Sequence, residues 1–432
     1  MSKTIIIIGA GLAGLSAALQ AAENGCNVKL VSSLPSERAQ SVMAEGGINA
    51  ALNTKDENDS PEEHFTDTIK AACGLADPNA VWGMTQAAPE LVHWLLKLGV
   101  KFNMSGYDDV DLRNFGGQKK KRTAFAQSDT GKQIMTAMID AVRRKEASGM
   151  VERFSHHSFL TLRLCGNICC GCVIRDEYSQ ETVELPGDAV IVATGGMHGL
   201  FGNTTGSLSN TGEVTAELFR LGVPLANGEM IQYHPTTVKC GGKRMLISEA
   251  ARGEGGRLFA MKDGKQWYFM EEKYPELGNL MPRDITAREI WKVSHESEVF
   301  LDMTEISEEI ISNKLSGLAD DCMTYLHKDI RKEPVSVLPG IHYFMGGILV
   351  DEQHRTPIQN LYAAGECCAQ YHGANRLGGN SLLGALYGGR VAAKSACEQA
   401  DVVDLSCATQ IDFPPASQIS EIKQLNKVMQ ET

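Results

Sequence analysis

Residues 4–14, Thr-Ile-Ile-Ile-Ile-Gly-Ala-Gly-Leu-Ala-Gly, decide the fold of this 432-residue chain. The β-branched run predicts a strand, and the alanine- and leucine-rich segment after the glycines predicts a helix to about Glu23. A second strand is predicted at 27–31. A strand, a turn with the spacing G-x-G-x-x-G, a helix and a strand form the context in which this pattern binds a dinucleotide. The sequence therefore predicts an α/β fold that starts with a Rossmann-type unit.

Each glycine of the turn has an expected task. Gly9 permits the tight turn, Gly11 lets a pyrophosphate approach the helix N-terminus, and Gly14 lets the helix pack on the strand. The second strand ends in Ser32 and Ser33, where NAD-dependent dehydrogenases carry an acidic residue for the ribose hydroxyls. A serine hydroxyl can still contact a ribose, but this ending weakens the interpretation as a simple NAD-dependent dehydrogenase.

Two later strands indicate that the dinucleotide is FAD. Residues 189–196 predict a buried strand that ends in a glycine turn, and residues 361–366 predict another that ends in a glycine and an acid. Segments so far apart in the chain would both contact a long, extended cofactor. The stretch 375–383 opens a predicted helix that runs through Ala393. Its free N–H groups and positive dipole end, aimed at the flavin N1/C2=O edge, would stabilise the anionic reduced ring.

Charge and composition exclude several classes of protein. The net charge of −12 argues against binding to nucleic acid, because phosphate neutralisation needs a basic surface. The one basic run, 119–122, is expected to be a solvated loop. Residues 2–8 do not resemble a secretory signal and no apolar stretch reaches 18 residues, so we predict a cytoplasmic protein with no transmembrane segment of its own. The cysteine-rich stretch 165–172 has a tempting spacing but falls in a predicted β-hairpin, so no metal site is predicted.

The domain division follows a change in composition. Between residues 233 and 342 the chain has more charge and fewer long predicted strands. We therefore expect a Rossmann-type FAD-binding domain at 1–232 and 343–432, with an inserted α+β cap domain at 233–342. After a Pro-Pro linker, apolar residues at helical spacing predict an amphipathic helix at 418–432.

Seven stretches carry a family resemblance. They are 44–47 (AEGG), 114–117 (NFGG) with 122–123 and 129–131, 232–236 (QYHPT), 249–256 (EAARGEGG), 282–284 (PRD), 342–347 (HYFMGG) and 375–382 (NRLGGNSL). Over about residues 4–400, the chain resembles the flavoprotein subunits of fumarate reductase and succinate dehydrogenase, a family that also includes L-aspartate oxidase.

The resemblance implies hydride transfer between flavin N5 and a methine carbon of a four-carbon dicarboxylate. It makes Arg283 the proton donor, and because arginine is a weak acid, a relay through Glu249 and Arg252 must reprotonate it. The implied substrate-binding residues are His342 and Arg376 at one carboxylate, His234 and Ser248 with Glu249 at the other, and Phe115 and Gly47. The implied FAD-binding residues are Gly9, Gly11, Leu12, Ala13, Gly14, Ser32, Ser33, Gln40, Ser41, Glu45, Gly46, Gly47, Ala193, Thr194, Gly195, Gly196, Glu366, Arg376, Ser381 and Leu382.

Two departures from the family pattern matter. Respiratory fumarate reductases carry a histidine that bonds covalently to the flavin four residues before Ala-Glu-Gly-Gly, and this chain has Gln40 there. We therefore expect noncovalent FAD and a preference for fumarate reduction over succinate oxidation. The family's C-terminal helical domain is also expected to be absent, whether through a natural short form, a shortened chain or a partner subunit that fills the gap.

Several alternatives stay open. L-aspartate oxidases also lack the flavin histidine, although the stretch 114–122 offers no acid for an amino group. Ser248 stands where threonine is common, so another unsaturated acid is an alternative. A noncatalytic FAD-binding assembly subunit would have lost Arg283, His342 or Arg376, and a flavoprotein that only relays electrons would lack the dicarboxylate motifs. The family resemblance implies an iron–sulfur partner subunit. Through that subunit the protein would lie at the inner face of the membrane.

Overall fold

The computed structural model describes residues 2–401, and the helix predicted at 418–432 lies outside the described residues. Within residues 2–401 the chain forms eleven α-helices and twenty-one β-strands. The helices are α1 Leu12–Glu23, α2 Pro61–Ala71, α3 Pro78–Leu98, α4 Thr130–Ala147, α5 Glu213–Arg220, α6 Glu249–Gly253, α7 Phe269–Lys273, α8 Arg283–Ser294, α9 Glu308–Lys314, α10 Ser316–Asp321 and α11 Asn380–Gln399.

The strands are mostly short. They are β1 Thr4–Ile8, β2 Asn27–Ser32, β3 Ile48–Asn49, β4 Leu112–Arg113, β5 Thr123–Ala124, β6 Val151–Ser155, β7 His157–Cys165, β8 Ile168–Asp176, β9 Thr182–Pro186, β10 Ala189–Val192, β11 Leu225–Ala226, β12 Ile231–Cys240, β13 Lys243–Leu246, β14 Arg257–Lys262, β15 Lys265–Trp267, β16 Val299–Asp302, β17 Val335–Ser336, β18 Leu338–Phe344, β19 Gly347–Leu349, β20 Leu361–Ala363 and β21 Cys368–Ala369.

A five-stranded parallel sheet organises the first core. Its strand order is β20-β10-β1-β2-β6, so strands that are hundreds of residues apart lie side by side. In β1, Ile5 and Ile7 pack into the core with α1, α4 and α11, whereas Ile6 and Ile8 pack into a core on the opposite face. A parallel sheet buried on both faces is expected to have such continuously apolar strands. The four strands predicted for this unit are all present, and the protein has a mixed α/β architecture.

The glycine turn fixes α1 against the sheet. A Cβ built at Gly14 would lie 1.8 Å from the carbonyl oxygen of Gly9, so only glycine allows this approach. The helix then packs along α11, where Ser16 Oγ donates to the carbonyl oxygen of Leu386 over 2.7 Å. The first and last parts of the described chain are therefore joined directly beneath the turn.

A second core consists of residues between 247 and 337 together with Phe115. The sheet β15-β14-β16-β17 packs with α6 to α10 around buried apolar side chains. The antiparallel pair of β12 and β18, which contain residues 233 and 342, borders this core, and His234 lies opposite Gly340. The expected limits of the inserted segment thus fall on one pair of strands.

The predictions for the cysteine-rich stretch and for the basic run have different outcomes. The cysteine-rich stretch forms the expected hairpin of β7 and β8, and burial raises the pKa of the Cys169 thiol to about 12. The expectation of a solvated basic loop is wrong for Arg122, which is fully buried and pairs with Asp59 at 2.8 Å and with Asp67 at 3.0 Å. Two acids at a distance in sequence make that burial possible, because a buried charge needs a partner. Among the helices of residues 2–401, none combines the length and apolar composition needed to cross a lipid bilayer.

Candidate active site

A cavity of about 570 Å³ is lined by residues from Ile8 to Ala385. All the predicted FAD-binding residues line it except Gly14, which lies behind the turn against Gly9. The predicted substrate-binding residues His234, Ser248, His342, Arg376, Phe115 and Gly47 also line it, together with Arg283 and Glu249. Arg252 is buried outside the lining. The structure therefore brings both predicted sets of residues to one continuous cavity.

Two helices begin at this cavity without side-chain caps. The helix α1 follows Gly11, and α11 follows Gly379; no acidic residue lies in the first turn of either helix. Their free backbone N–H groups and positive dipole ends suit anionic parts of a ligand. Ser32 Oγ, at the end of β2, is buried and has no hydrogen-bond partner within residues 2–401. These features fit a dinucleotide, whose phosphates and ribose hydroxyls would satisfy them.

Glu366 is held in place by a histidine that the sequence did not indicate. Its Oε1 lies 3.0 Å from Nε2 of His198 and accepts from the backbone N–H of Phe344 over 3.0 Å. The other ring nitrogen of His198 lies 2.7 Å from Thr204 Oγ1. His198 follows the strand and glycine turn of 189–196 by two residues, and that position was the only available signal.

Arg283 and Glu249 form a buried ion pair at the cavity wall. Arg283 donates from Nε to Glu249 Oε2 over 2.8 Å, and its Nη2 lies 2.7 Å from the same oxygen. Each residue begins a helix, Glu249 that of α6 and Arg283 that of α8. Ser248, the residue before Glu249, caps α6 by accepting from the backbone N–H of Ala250 over 3.4 Å. The short helix thereby fixes the carboxylate beside the arginine.

The second oxygen of Glu249 contacts groups that do not include Arg283. Its Oε1 accepts from the backbone N–H of Gly116 over 2.9 Å and lies 3.4 Å from Nη2 of Arg252. Arg252 in turn donates from Nη1 to the carbonyl oxygen of Asn279 over 2.6 Å. Burial alone would raise the pKa of the Glu249 carboxyl, but the charges of Arg283 and Arg252 and their hydrogen bonds hold it below its usual range. Glu249 is therefore ionised between two guanidinium groups.

Two histidines, of which His234 is buried and His342 is half-buried, face each other across the cavity. The rings of His234 and His342 lie 5.0 Å apart between centroids, edge to face. Burial, together with nearby positive charge, lowers the pKa of both rings well below the usual value. The backbone N–H of Thr236 donates to Nδ1 of His234 over 3.3 Å, and Thr205 Oγ1 lies 2.7 Å from Nδ1 of His342. Two neutral rings of this kind can donate from Nε2 to a carboxylate.

Arg376 presents a second cation to the cavity and, unlike Arg283, has no ion-pair partner within residues 2–401. Its guanidinium lies 4.3 Å above the ring of Tyr343, and its buried Nε has no hydrogen-bond partner within the described chain. Burial, followed by the charge of Arg283, lowers its pKa to about 9. An anion at this position would relieve both the burial cost and the missing hydrogen bond.

Gln232 joins the two arginines, and the sequence did not single it out. Its Oε1 accepts from Nη1 of Arg283 over 3.0 Å. Its Nε2 donates to the carbonyl oxygen of Arg376 over 2.7 Å and to Oδ1 of Asn375 over 2.9 Å. The only signal was its place at the start of the 232–236 motif.

The charges around the site do not cancel. Three arginines, Arg252, Arg283 and Arg376, face two acids, Glu249 and Glu366, while the two histidines are neutral. A carboxylate ligand would offset the remaining positive charge through charge-assisted hydrogen bonds. The arrangement can therefore bind a dicarboxylate and hold a proton-bearing guanidinium beside it.

Comparisons with known proteins show which proteins this chain is similar to. Residues 4–382 match the family model described as FAD binding domain. The chain is 44% identical over 413 residues to the succinate dehydrogenase flavoprotein subunit of Bacillus subtilis, covering 94% of this chain and 70% of that protein. It is 34% identical over 406 residues to L-aspartate oxidase of Streptomyces coelicolor, covering 91% and 68%. A solved structure of E. coli quinol fumarate reductase matches with a TM-score of 0.87 at 29% identity, covering 98% of this chain and 74% of that chain.

Proposed function

The chain belongs to the family of FAD-dependent flavoprotein subunits that includes succinate dehydrogenase and fumarate reductase, and we propose that its site reduces fumarate to succinate. It is an FAD-dependent oxidoreductase acting on CH–CH groups. The observation that carries the proposal is the buried pair of Arg283 and Glu249 at a cavity wall that also carries Arg376, His234 and His342. Such a wall suits a dianion that must receive a proton at carbon.

The FAD is proposed to be bound without a covalent link. The uncapped starts of α1 and α11, the Ser32 hydroxyl and Glu366 are the groups that would hold it. Gln40 lines the cavity where a flavin-linking histidine is expected in respiratory enzymes, and its amide cannot form that bond. When bound, the flavin supplies the exchange of hydride at N5. A noncovalent flavin is expected to be a weaker oxidant, which favours the reducing direction.

The substrate carboxylates are proposed to bind at two ends of the site. His342 and Arg376 take one carboxylate, and His234 takes the other with Ser248 at the start of α6. Neutral imidazoles donate hydrogen bonds without repelling the neighbouring arginines. Two cationic or polar clamps at fixed positions orient the double bond and polarise it toward hydride attack.

Arg283 is proposed to deliver the proton to the other methine carbon. Arginine is a weak acid, so the step requires immediate replacement of the proton. Glu249 Oε2, 2.7 Å from Nη2 of Arg283, passes that proton on, and Glu249 Oε1 receives it from Arg252. The ionised state of Glu249 supports this assignment, since the carboxylate can first accept a proton from Arg252 and then, as a carboxylic acid, donate it to Arg283.

Two rival functions make different demands on the chain. An L-aspartate oxidase needs a group for the substrate amine, yet within residues 114–122 there is no acid, and the buried Gln118 donates to the carbonyl oxygen of Gly378 over 2.7 Å. A noncatalytic assembly subunit could dispense with Arg283, His342 or Arg376, and all three line the cavity. Both observations support catalysis on an acid without an amino group.

The wider organisation is part of the proposal. The FAD-binding domain comprises residues 1–232 and 343–432, and the inserted cap at 233–342 moves to close the site against water. An iron–sulfur subunit supplies the electrons, and through it the cytoplasmic protein lies at the inner face of the membrane.

Anaerobic reoxidation of the flavin tests the function. The purified protein is reduced chemically, fumarate is added, and the return of the oxidised flavin absorbance is followed. Rapid reoxidation by fumarate, with no response of the oxidised protein to L-aspartate, is the expected result. Bleaching of the oxidised flavin by L-aspartate, without reoxidation by fumarate, would identify an oxidase instead.

A further inference from the structure

Arg244 is a third buried cation on the cavity, outside all the motifs that carry the family resemblance. It lies on β13, is 8% exposed, and lines the same cavity as His342 and Arg283. Its side chain crosses Gly340 of β18, where an added Cβ would lie 2.6 Å from Arg244 Cδ. Gly340 lies opposite His234 in the strand pair. Arg244 therefore packs against the strands that carry the two site histidines.

The guanidinium of Arg244 lacks an acidic partner within residues 2–401. It donates from Nε to Thr237 Oγ1, and from Nη2 to the carbonyl oxygens of Thr237 at 3.0 Å and Leu338 at 3.4 Å. Its Nη1 makes no hydrogen bond to the described chain. All its acceptors are neutral, so the buried charge remains uncompensated. Such a charge is costly unless an anion reaches it.

The strand β13 leads from solvent into the site. Lys243 is exposed, Arg244 follows it, and Ser248 and Glu249 at the inner end are buried. The backbone N–H of Arg244 donates to the carbonyl oxygen of Thr204 over 2.9 Å, next to Thr205, which holds His342. Arg244 thus lies between the exposed rim and the inner anion clamps.

We propose that Arg244 draws a carboxylate of the dicarboxylate into the cavity and helps to hold the bound anion. The inference rests on the proposed function for the identity of the anion, but it concerns capture of the substrate and not the chemistry. A buried cation near an opening concentrates an anionic ligand and raises its association rate, an effect that salt weakens. Arg244 accordingly sets substrate affinity, while Arg283 sets turnover.

The test compares Arg244→Gln and Arg244→Met with Lys239→Gln, which removes an exposed charge opposite Arg244 in the strand pair but outside the cavity lining. Succinate binding is measured by perturbation of the oxidised flavin spectrum, and fumarate reoxidation by stopped flow. Both Arg244 variants are expected to raise the succinate Kd and the fumarate KM about tenfold, with kcat changed less than about twofold. They also flatten the salt dependence of kcat/KM. Lys239→Gln leaves Kd within about twofold.

The outcomes separate three explanations. Loss of FAD in folded Arg244 variants, with unchanged succinate affinity after reconstitution, would assign Arg244 to a cofactor phosphate and overturn the proposal. Unchanged Kd and KM in folded Arg244→Met would overturn it as well. If the wild-type protein binds succinate through Arg244 but fumarate does not reoxidise its flavin, the proposed function fails and the inference stands. If the wild-type protein binds neither acid, both fail.

Discussion

Oε2 of Glu249 accepts from Nε of Arg283 and lies 2.7 Å from its Nη2, so that one carboxylate oxygen engages one edge of the guanidinium. The opposite nitrogen, Nη1, donates to Gln232. The guanidinium is therefore fixed from two sides, and both contacts are buried. A proton donor that must act on carbon gains from such fixation, because small errors in position cost rate.

Replacing Arg283 by lysine should abolish most turnover while FAD content and succinate affinity are retained. Lysine keeps a positive charge but cannot bridge Glu249 and Gln232 in the same plane. We expect kcat for fumarate to fall by at least about 100-fold, as for loss of a positioned general acid. Arg288→Lys, at an exposed position of α8, is the control and should behave as the wild type. Survival of turnover in Arg283→Lys would move the proton to another group.

Gln232→Leu should lower kcat although Gln232 is not expected to titrate. The substitution removes the acceptor for Arg283 and the donor for the backbone of Arg376, so both arginines lose a fixed neighbour. We expect a fall in kcat of about tenfold and a smaller rise in KM. Gln266→Leu, on the exposed β15, serves as the matched change. Equal kinetics in the two variants would show that Gln232 positions neither arginine.

The pH profile of fumarate reduction should show no histidine step. His234 and His342 have pKa values well below the usual value of about 6.5 because they are buried beside arginines. Both rings thus stay neutral as the pH falls from 8 to 6, and kcat/KM, which reports the free enzyme, should stay flat. An inflection near pH 6.5 would contradict the neutral state of these rings.

Stability should fall on mild acidification, in part through His64. Burial lowers the pKa of His64 to about 3, and its Nε2 lies 2.9 Å from Oδ1 of Asn380. Below pH 6.5 the unfolded chain binds a proton at this ring and the folded chain does not, so stability declines as the pH drops toward 3. His64 alone accounts for about 2 kcal/mol at pH 5. The melting temperature of His64→Gln should depend less on pH than that of His93→Gln, an exposed change on α3.

Denaturation should release all the flavin. With Gln40 in place of a linking histidine, nothing should retain the cofactor on the unfolded chain. After acid precipitation we expect FAD in the supernatant at one equivalent per chain and no flavin fluorescence in the protein band of a denaturing gel. A fluorescent band would show a covalent link through another residue.

The sequence predicted the strands and helices best where the pattern of apolar residues is local. Strands β1, β10 and β20 are apolar runs bounded by glycine or polar residues, as expected for strands that are buried on both faces of a parallel sheet. The helix α11 runs to Gln399, beyond the predicted end at Ala393, because nothing between them stops a helix. The motif residues gathered at the cavity were named through family resemblance, and their individual roles stay predictions.

The residues that hold the site residues in place could not be predicted from the sequence. Gln232 and Arg283 are 51 residues apart, and His198 and Glu366 are 168 apart. Side-chain pairs at such separations leave no periodicity. The prediction that Arg122 lies in a solvated loop was wrong for the same reason, because its partners Asp59 and Asp67 come from a different part of the chain. Only the folded arrangement distinguishes a buried arginine from a solvated one.

The sheet order has a consequence for biosynthesis. The cavity is lined by Gly9 at one end of the chain and by Leu382 at the other, and its sheet needs β20 beside β10. A nascent chain on the ribosome cannot complete the FAD cavity until α11 has emerged. Cofactor loading is therefore a late event, and chains released before that point would expose an open sheet edge to chaperones or to aggregation.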